Sequence, residues 1–255
     1  MDLEGKTVLV TGASRGLGRA LSERLATEGG VRVLCGVRDL AAFEPIAGDT
    51  HVVELDLGSR ATIETGLAQL YAERDRIDVL VNNAGLFVGG LLERQPLEEV
   101  YAMVQVNVAG VMHLTQALLP SLQRRPEAKI VNQASIVSEL HFPGLSTYSA
   151  TKAAIAAFTE CLRRELEDTS VTVLHLDTGG MDTEMLEKAD EQLRDHMDPD
   201  RWERQDAHSW ADRIVKAIRD DDEVLHTGGG SRVMELLGKA PSKVLDAVAK
   251  RAFDR

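Results

Sequence analysis

Short apolar runs alternate along this chain with longer segments in which apolar residues recur every three or four positions. The runs are Thr7 to Thr11, Val31 to Gly36, His51 to Leu55, Val79 to Asn82, Ile130 to Asn132, Val171 to Leu176 and Val224 to His226. They are rich in Val, Leu and Ile. Most lack the in-out alternation of a half-exposed strand, so they predict strands buried on both faces. In the first helix-period segment, Leu17, Ala20, Leu21 and Leu25 form one stripe. Strand and helix alternating in this way predict an α/β, doubly wound architecture: a parallel sheet of about seven strands with helices on both faces. A chain of 255 residues without an internal repeat or a convincing linker reads as one domain over 1–255. Residues 181–223 stand apart, with 15 acidic and 7 basic residues, and 184–212 within them read as a variable substrate-loop region. Residues 231–255 read as a helical extension, two short helices separated by Pro241.

The first strand runs directly into Thr11-Gly12-Ala13-Ser14-Arg15-Gly16-Leu17-Gly18. Three glycines at a strand-to-helix turn let a pyrophosphate approach the backbone. The helix N-terminus then offers free N–H groups and the positive end of its dipole. The spacing is GxxxGxG, and a tight turn with close helix packing would ask for the same residues. Composition narrows the classes. The chain is 44% hydrophobic and 27% charged with a net charge of -12, the wrong sign for a nucleic-acid binder that needs clustered Lys and Arg. No apolar run approaches the ~20 residues of a membrane helix. Met1-Asp2-Leu3-Glu4-Gly5-Lys6 lacks the basic start and apolar stretch of a signal peptide. Cys35 and Cys161 have no CxxC or Cys/His spacing and read as buried, reduced thiols. A cytoplasmic protein without a membrane span is the expectation. The seven histidines show no HxxxH or HExxH pair, so no metal is expected.

TGxxxGxG near the N-terminus resembles the cofactor motif of the short-chain dehydrogenase/reductase family, and four further features match in order. Asp56-Leu57 closes strand three, where the family places an Asp near the adenine. Asn82-Asn83-Ala84-Gly85 closes strand four, like the family's NNAG. Asn107 lies within Val106-Asn107-Val108 on the next helix. Ser135 precedes Tyr148 by thirteen residues, and Tyr148-Ser149-Ala150-Thr151-Lys152 is a YxxxK motif. The resemblance covers roughly residues 5 to 183. It implies a Rossmann-type fold, an NAD(P)-dependent interconversion of carbonyl and secondary alcohol, and a homodimer or homotetramer formed through the helices holding Asn107 and Tyr148. It implies Asn107, Ser135, Tyr148 and Lys152 as the catalytic set. The implied cofactor contacts are Gly12, Ser14, Arg15, Gly16, Leu17 and Gly18, then Asp56 and Leu57, then Asn83, Ala84 and Gly85, with Tyr148, Lys152, Gly179, Met181 and Thr183.

The chemistry fits these residue types. Tyr148 and Lys152 are four apart and share a helix face. A free tyrosine titrates near 10, too high for a base at neutral pH. A neighbouring ammonium and a helix start are both expected to lower that value. Ser135 can donate a hydrogen bond to a substrate oxygen as charge develops there. By resemblance, Lys152 also touches the nicotinamide ribose, and Asn107 holds a water that links Lys152 to solvent.

Cofactor choice turns on Cys35-Gly36-Val37-Arg38-Asp39. NAD enzymes usually place a carboxylate about 20 residues beyond the glycine loop. Allowing one extra residue at Gly29-Gly30, Val37 falls at that position and Arg38 just after it. Arg15 and Arg38 together suit a 2′-phosphate, because the guanidinium fork binds phosphate bidentately, so NADP is favoured over NAD. Two solvated surface arginines are the plainer alternative, and Asp39 would become a ribose ligand after a one-residue shift. One departure from the family is Thr178 in Asp177-Thr178-Gly179, where Pro-Gly is usual. Without the fixed proline φ this loop is expected to be more flexible.

Two functions follow: a catalytic oxidoreductase, or a catalytically silent NAD(P)-sensing protein of the same fold. The complete Asn107, Ser135, Tyr148 and Lys152 set favours the first. The partner would be a small-molecule carbonyl or alcohol. Met185, Leu186, Leu193, Met197 and Trp202 are candidates for an apolar pocket wall, or else the packing face of an acidic, solvated helix. Leu245, Val248, Ala252 and Phe253 near the C-terminus suit helix packing at a subunit contact.

Overall fold

The computed structural model describes residues 1–70, 73, 76–198 and 204–227. Trp202 and the extension over 231–255 lie outside them. Seven parallel strands form one sheet in the order β3-β2-β1-β4-β5-β6-β7. They are β1 (Thr7–Thr11), β2 (Arg32–Val37), β3 (Thr50–Glu54), β4 (Ile77–Asn82), β5 (Ala128–Gln133), β6 (Val171–Asp177) and β7 (Val224–His226). The helices are α1 (Gly16–Ala26), α2 (Arg60–Gln69), α3 (Leu97–Val104), α4 (Val111–Leu122), α5 (Ser146–Glu165), α6 (Glu184–Leu193) and α7 (Ala207–Asp220). The winding reverses between β1 and β4, and in such sheets the crevice at the carboxyl ends of these strands is where ligands bind.

Alternate residues of each inner strand feed two cores, which is why the runs show no polar alternation. Val8, Val10, Val79 and Val81 pack with α1 and α7 through Leu21, Leu25, Trp210 and Ile214. Leu9, Leu80 and Ile130 pack on the other face with Ile63, Leu114, Leu118 and Leu162. The two edge strands are the exceptions: β3 leaves Val52 45% exposed and β7 leaves Val224 43% exposed.

β4 and β5 begin earlier than their apolar runs because each opens on a buried charge. Asp78 is 1% exposed. Its carboxylate accepts from the Thr7 N–H at 2.9 Å and from Arg125 Nε at 2.8 Å, where the β1–β4 register slips by one residue. Lys129 is fully buried with its ammonium on the Asp221 carboxylate at 2.5 Å. Both charges are compensated, as burial requires.

A six-residue π turn, Gln105–Gly110, joins α3 and α4 into one helix from Leu97 to Leu122. Among the described residues it is one helix of 26 residues long and apolar enough, by length and composition, to cross a membrane. Its inner residues Met103, Leu114, Leu118 and Leu122 are buried in the protein. Helical continuity across Glu98, Glu99 and His113 joins apolar stretches that are separate in the sequence. Cys35 is buried as expected, but Cys161 on α5 is exposed.

Candidate active site

The glycine turn and the end of β4 are stitched together by one hydroxyl. Thr11 Oγ1 donates to the Val81 carbonyl at 3.2 Å and accepts the N–H groups of Asn83 and Ala84, each at 3.0 Å. Asn83 Nδ2 returns a hydrogen bond to the Thr11 carbonyl at 2.9 Å. Gly12 has φ +68°, and a Cβ there would stand 2.9 Å from Ala84 Cα. A Cβ on Gly18 would be 2.2 Å from the Gly12 oxygen. Neither position admits a side chain. Gly16 faces Thr183, at the N-terminus of α6, across a gap that a Cβ would close to 3.2 Å. Ser14 is exposed, whereas Leu17 is buried in the core under α1.

The adenosine-side residues lie at the ends of neighbouring strands. Asp56 is half-buried, and one carboxylate oxygen accepts the Gly58 N–H at 2.9 Å. Leu57 is buried, and its carbonyl accepts from Gln105 Nε2 at 3.2 Å. Arg38, just past β2, is exposed. Asp39 is engaged locally: its carboxylate accepts the N–H of Ala41 at 2.9 Å and of Ala42 at 3.4 Å, capping the turn after β2. Arg15, the other arginine read as suiting a 2′-phosphate, is engaged by an acid. Its exposed guanidinium pairs with Glu184 at the start of α6, because the acidic segment reaches back over the glycine loop.

Ser135, Tyr148 and Lys152 converge at the carboxyl end of β5. Ser135 is buried. Its Oγ donates to the Thr178 carbonyl at 3.1 Å and caps the 3₁₀ turn Ile136–Ser138 by accepting the Val137 N–H at 3.4 Å. Tyr148 is half-buried, its ring centre 4.9 Å from that of Phe87 in an edge-to-face contact. Lys152 Nζ lies 5.7 Å from the same ring centre and donates to the Gln133 carbonyl at 3.0 Å. Burial pushes the Tyr148 phenol above its ordinary value and brings the Lys152 amine down to about 8. The tyrosine shift is opposite to the expected one. Desolvation outweighs an ammonium that is turned towards a carbonyl rather than the phenol oxygen.

Asn107, in the π turn, is 2% exposed. Its Oδ1 accepts the Leu86 N–H at 2.7 Å, and its Nδ2 donates to the Leu86 carbonyl at 2.9 Å and to Thr151 Oγ1 at 3.1 Å. Both amide hydrogens are thus taken, and the side chain clamps the strap after β4 to α5. A Cβ on Gly85 would come within 3.5 Å of Asn107 Oδ1 and 4.0 Å of Lys152 Nζ. The glycine therefore leaves space open beside the lysine, as a nicotinamide ribose requires. Glycine cradle, strand-end acid and a lysine beside Gly85 together fit a dinucleotide.

The loop after β6 is tied down rather than loose. Thr178 is 2% exposed, and its carbonyl accepts both the Ile136 N–H at 3.0 Å and the Ser135 hydroxyl. Hydrogen bonding holds the segment where proline would hold it by ring closure. Gly179 packs against Thr227, and Met181 bridges to Gln205. α6 then covers a pocket above Ser135 and Tyr148. Met185, Leu186 and Leu193 line it, while Met197 packs behind them in the same apolar cluster. Phe87, Gln133, Val137 and Leu145 complete the wall. The sequence reading missed them, although Phe87 follows the NNAG motif by two residues and Gln133 precedes Ser135 by two.

The strand order, the glycine cradle at the switch point and the polar cluster beside it define a dinucleotide-dependent oxidoreductase of the doubly wound class. A family model described as short chain dehydrogenase matches residues 6–194. The 3-oxoacyl-(acyl-carrier-protein) reductase FabG of Aquifex aeolicus is 35% identical over 201 residues, 76% of this chain and 81% of that protein. The NADP-dependent 3-hydroxy acid dehydrogenase of Schizosaccharomyces pombe is 33% identical over 191 residues, 71% of this chain and 74% of that protein. Among solved structures, a short chain dehydrogenase from Burkholderia cenocepacia in complex with NADP matches with TM-score 0.83 at 28% identity, covering 98% of this chain and 99% of that one. A Burkholderia phymatum enzyme in complex with NAD shares the fold, with TM-score 0.84 at 22% identity over 97% of this chain and 96% of that one. The chain belongs to the short-chain dehydrogenase family and is an NAD(P)-dependent oxidoreductase.

Proposed function

We propose that this protein is an NADP-dependent oxidoreductase interconverting a ketone and a secondary alcohol, a cytoplasmic single-domain homo-oligomer with Tyr148 as its acid/base. The observation that carries the reading is that Ser135 and Tyr148 line one pocket, with Lys152 buried beside the Tyr148 ring and held on the carbonyl of Gln133, which lines the same pocket. The cofactor, held by Gly12 to Gly18, Arg38, Asp56, Asn83 to Gly85, Lys152 and Gly179 to Thr183, supplies or takes up the hydride.

The chain's own residues handle the oxygen and the proton. Ser135 turns its hydroxyl from the Thr178 carbonyl to the substrate oxygen and stabilises charge developing there. Tyr148 donates to the same oxygen and delivers its proton when a ketone is reduced. A phenol kept neutral by burial is in the right protonation state for that direction. For alcohol oxidation it must become a base, and Lys152 supplies the charge that stabilises the phenolate. Asn107 acts as a positioning residue. With both amide hydrogens taken, a relay water would have to use a main-chain carbonyl of the π turn. Such turns occur often at functional sites.

NADP selection rests on Arg38, exposed beside the end of β2, and on Asp39 being engaged in its own turn. Arg15 joins Arg38 only when it leaves Glu184. A panel of ketones and alcohols, followed by the ultraviolet absorbance of reduced nicotinamide, tests the reading. Turnover with NADPH on at least one neutral ketone is expected. Tight cofactor binding with no turnover across the panel would favour the silent sensor instead.

A further inference from the structure

Gln133 is the last residue of β5 and lies two positions before Ser135. Its main-chain carbonyl holds Lys152, and the residue lines the pocket shared with Ser135 and Tyr148. Its side-chain Oε1 is buried and has no hydrogen-bond partner. A buried amide oxygen without a donor has lost its water and gained nothing in exchange, so such groups are few in native proteins. Three of the polar groups near it are already engaged. The Ser135 hydroxyl is on the Thr178 carbonyl, Thr178 Oγ1 is near the Ala134 carbonyl, and the Lys152 ammonium is on the Gln133 carbonyl. The rest of the wall is largely apolar, with Phe87, Val137, Leu186 and Leu193, and no charged side chain is among the described lining residues.

Building on the oxidoreductase reading, we propose that Gln133 is a specificity-determining residue whose side-chain amide accepts a hydrogen bond from an O–H or N–H carried by the substrate. Residues two apart along a strand stand about 7 Å from each other. A ketone oxygen on Ser135 therefore places the second group a few bonds from the carbonyl carbon. The substrate class is an uncharged, mostly apolar ketone, or the matching alcohol, with a hydroxyl or amide N–H close to the reacting carbon. A carboxylate in that place would meet no cation among the described lining residues.

A matched pair of ketones tests this: a β-hydroxy ketone and its analogue with methyl in place of the hydroxyl. The kcat/KM of each is measured with NADPH, and the Kd of each is measured by calorimetry on the cofactor-loaded protein, for wild type, Gln133→Met and Gln133→Glu. Wild type is expected to favour the hydroxy ketone by about tenfold, the worth of one hydrogen bond. Gln133→Met should bring that ratio towards one, and Gln133→Glu, which keeps an acceptor, should retain a preference. General damage to the protein lowers both substrates together and leaves the ratio where it was, so only a contact to the hydroxyl moves it. A wild type without preference, or a preference that survives in Gln133→Met, overturns the assignment. A wild type that discriminates in Kd but oxidises no NADPH overturns the oxidoreductase reading and supports Gln133 as the recognising group.

Discussion

Tyr148 and Lys152 stand one turn apart on α5, and burial shifts both towards their neutral forms. Removing only the phenol oxygen should therefore separate chemistry from structure. Tyr148→Phe is expected to keep its melting temperature and cofactor affinity while turnover falls about 10²–10⁴-fold. A folded, cofactor-binding variant with near wild-type turnover would move the acid/base elsewhere. Lys152 carries a pH signature. Its value of about 8 in the folded chain lies below the ordinary 10.5. Between those two values the unfolded chain holds a proton that the folded chain has released, so stability gains with rising pH in that window. Below it both states are protonated, and the full cost of burying the ammonium is present. Cofactor affinity runs the other way, because a neutral amine makes weaker hydrogen bonds to a ribose. Fluorescence titration with NADPH should show weaker binding at about pH 9 than at about pH 7, with Lys152→Met flat across the range. Arg38 is the other single residue on which a prediction hangs. Arg38→Ala should cost NADP about 1.5–3 kcal/mol, as for a hydrogen bond to a charged group, and leave NAD unchanged. Equal losses for the two cofactors would remove the 2′-phosphate from its role.

At the scale of elements, α6 is both the solvated acidic helix and the pocket wall that its sequence left open. Leu186, Ala189 and Leu193 recur on one face and pack with Phe87 and Val137, while Glu187, Lys188 and Glu191 face outward. Its ends are fastened by polar contacts to three other segments. Glu184 pairs with Arg15 of the glycine loop, Lys188 with Glu99 of α3 at 3.2 Å, and Gln192 Oε1 accepts the Gly89 N–H at 2.8 Å. The exposed ion pairs are worth little. The Gln192 hydrogen bond, in a partly buried setting, sets the seat of α6 over the pocket. Gln192→Ala should raise KM for the carbonyl substrate about fivefold, the equivalent of one neutral hydrogen bond, with NADPH affinity unchanged. A shift in both constants together would mean that the contact supports the cofactor loop instead.

At the scale of the whole molecule, the long α3–α4 helix buries one side and leaves an apolar stripe on the other. Leu97 and Tyr101 are 64% and 65% exposed, and Val104 and Met112 continue the stripe. Patches of this kind mark association surfaces. Together with α5 they form the face expected to join subunits. Sedimentation at micromolar concentration should show an assembly larger than the 27.8 kDa chain. Leu97→Glu combined with Tyr101→Glu should dissociate it without unfolding. A wild type that sediments only as a monomer refutes the assembly.

Alternating apolar runs and helix stripes determined the doubly wound sheet. Strands buried on both faces must be apolar throughout, and that composition is local and visible. The motif residues were equally legible, since a tight glycine turn, an Asn-Asn strand end and a tyrosine four residues before a lysine are patterns of neighbours along the chain. Only the tertiary structure decided what depends on residues far apart in sequence. Asp78 and Lys129 belong to strands because Arg125 and Asp221 neutralise them from elsewhere. Thr178 is held because the Ser135 turn hydrogen-bonds to it, and Arg15 is occupied because α6 returns over the glycine loop. The direction of the Tyr148 shift follows the same rule: proximity to Lys152 is written in the sequence, but desolvation is set by what Phe87 and α6 bring over the ring. A one-dimensional pattern records which groups a chain has. The free energy of a buried polar group depends on its partners and its distance from water, and both are properties of the folded chain.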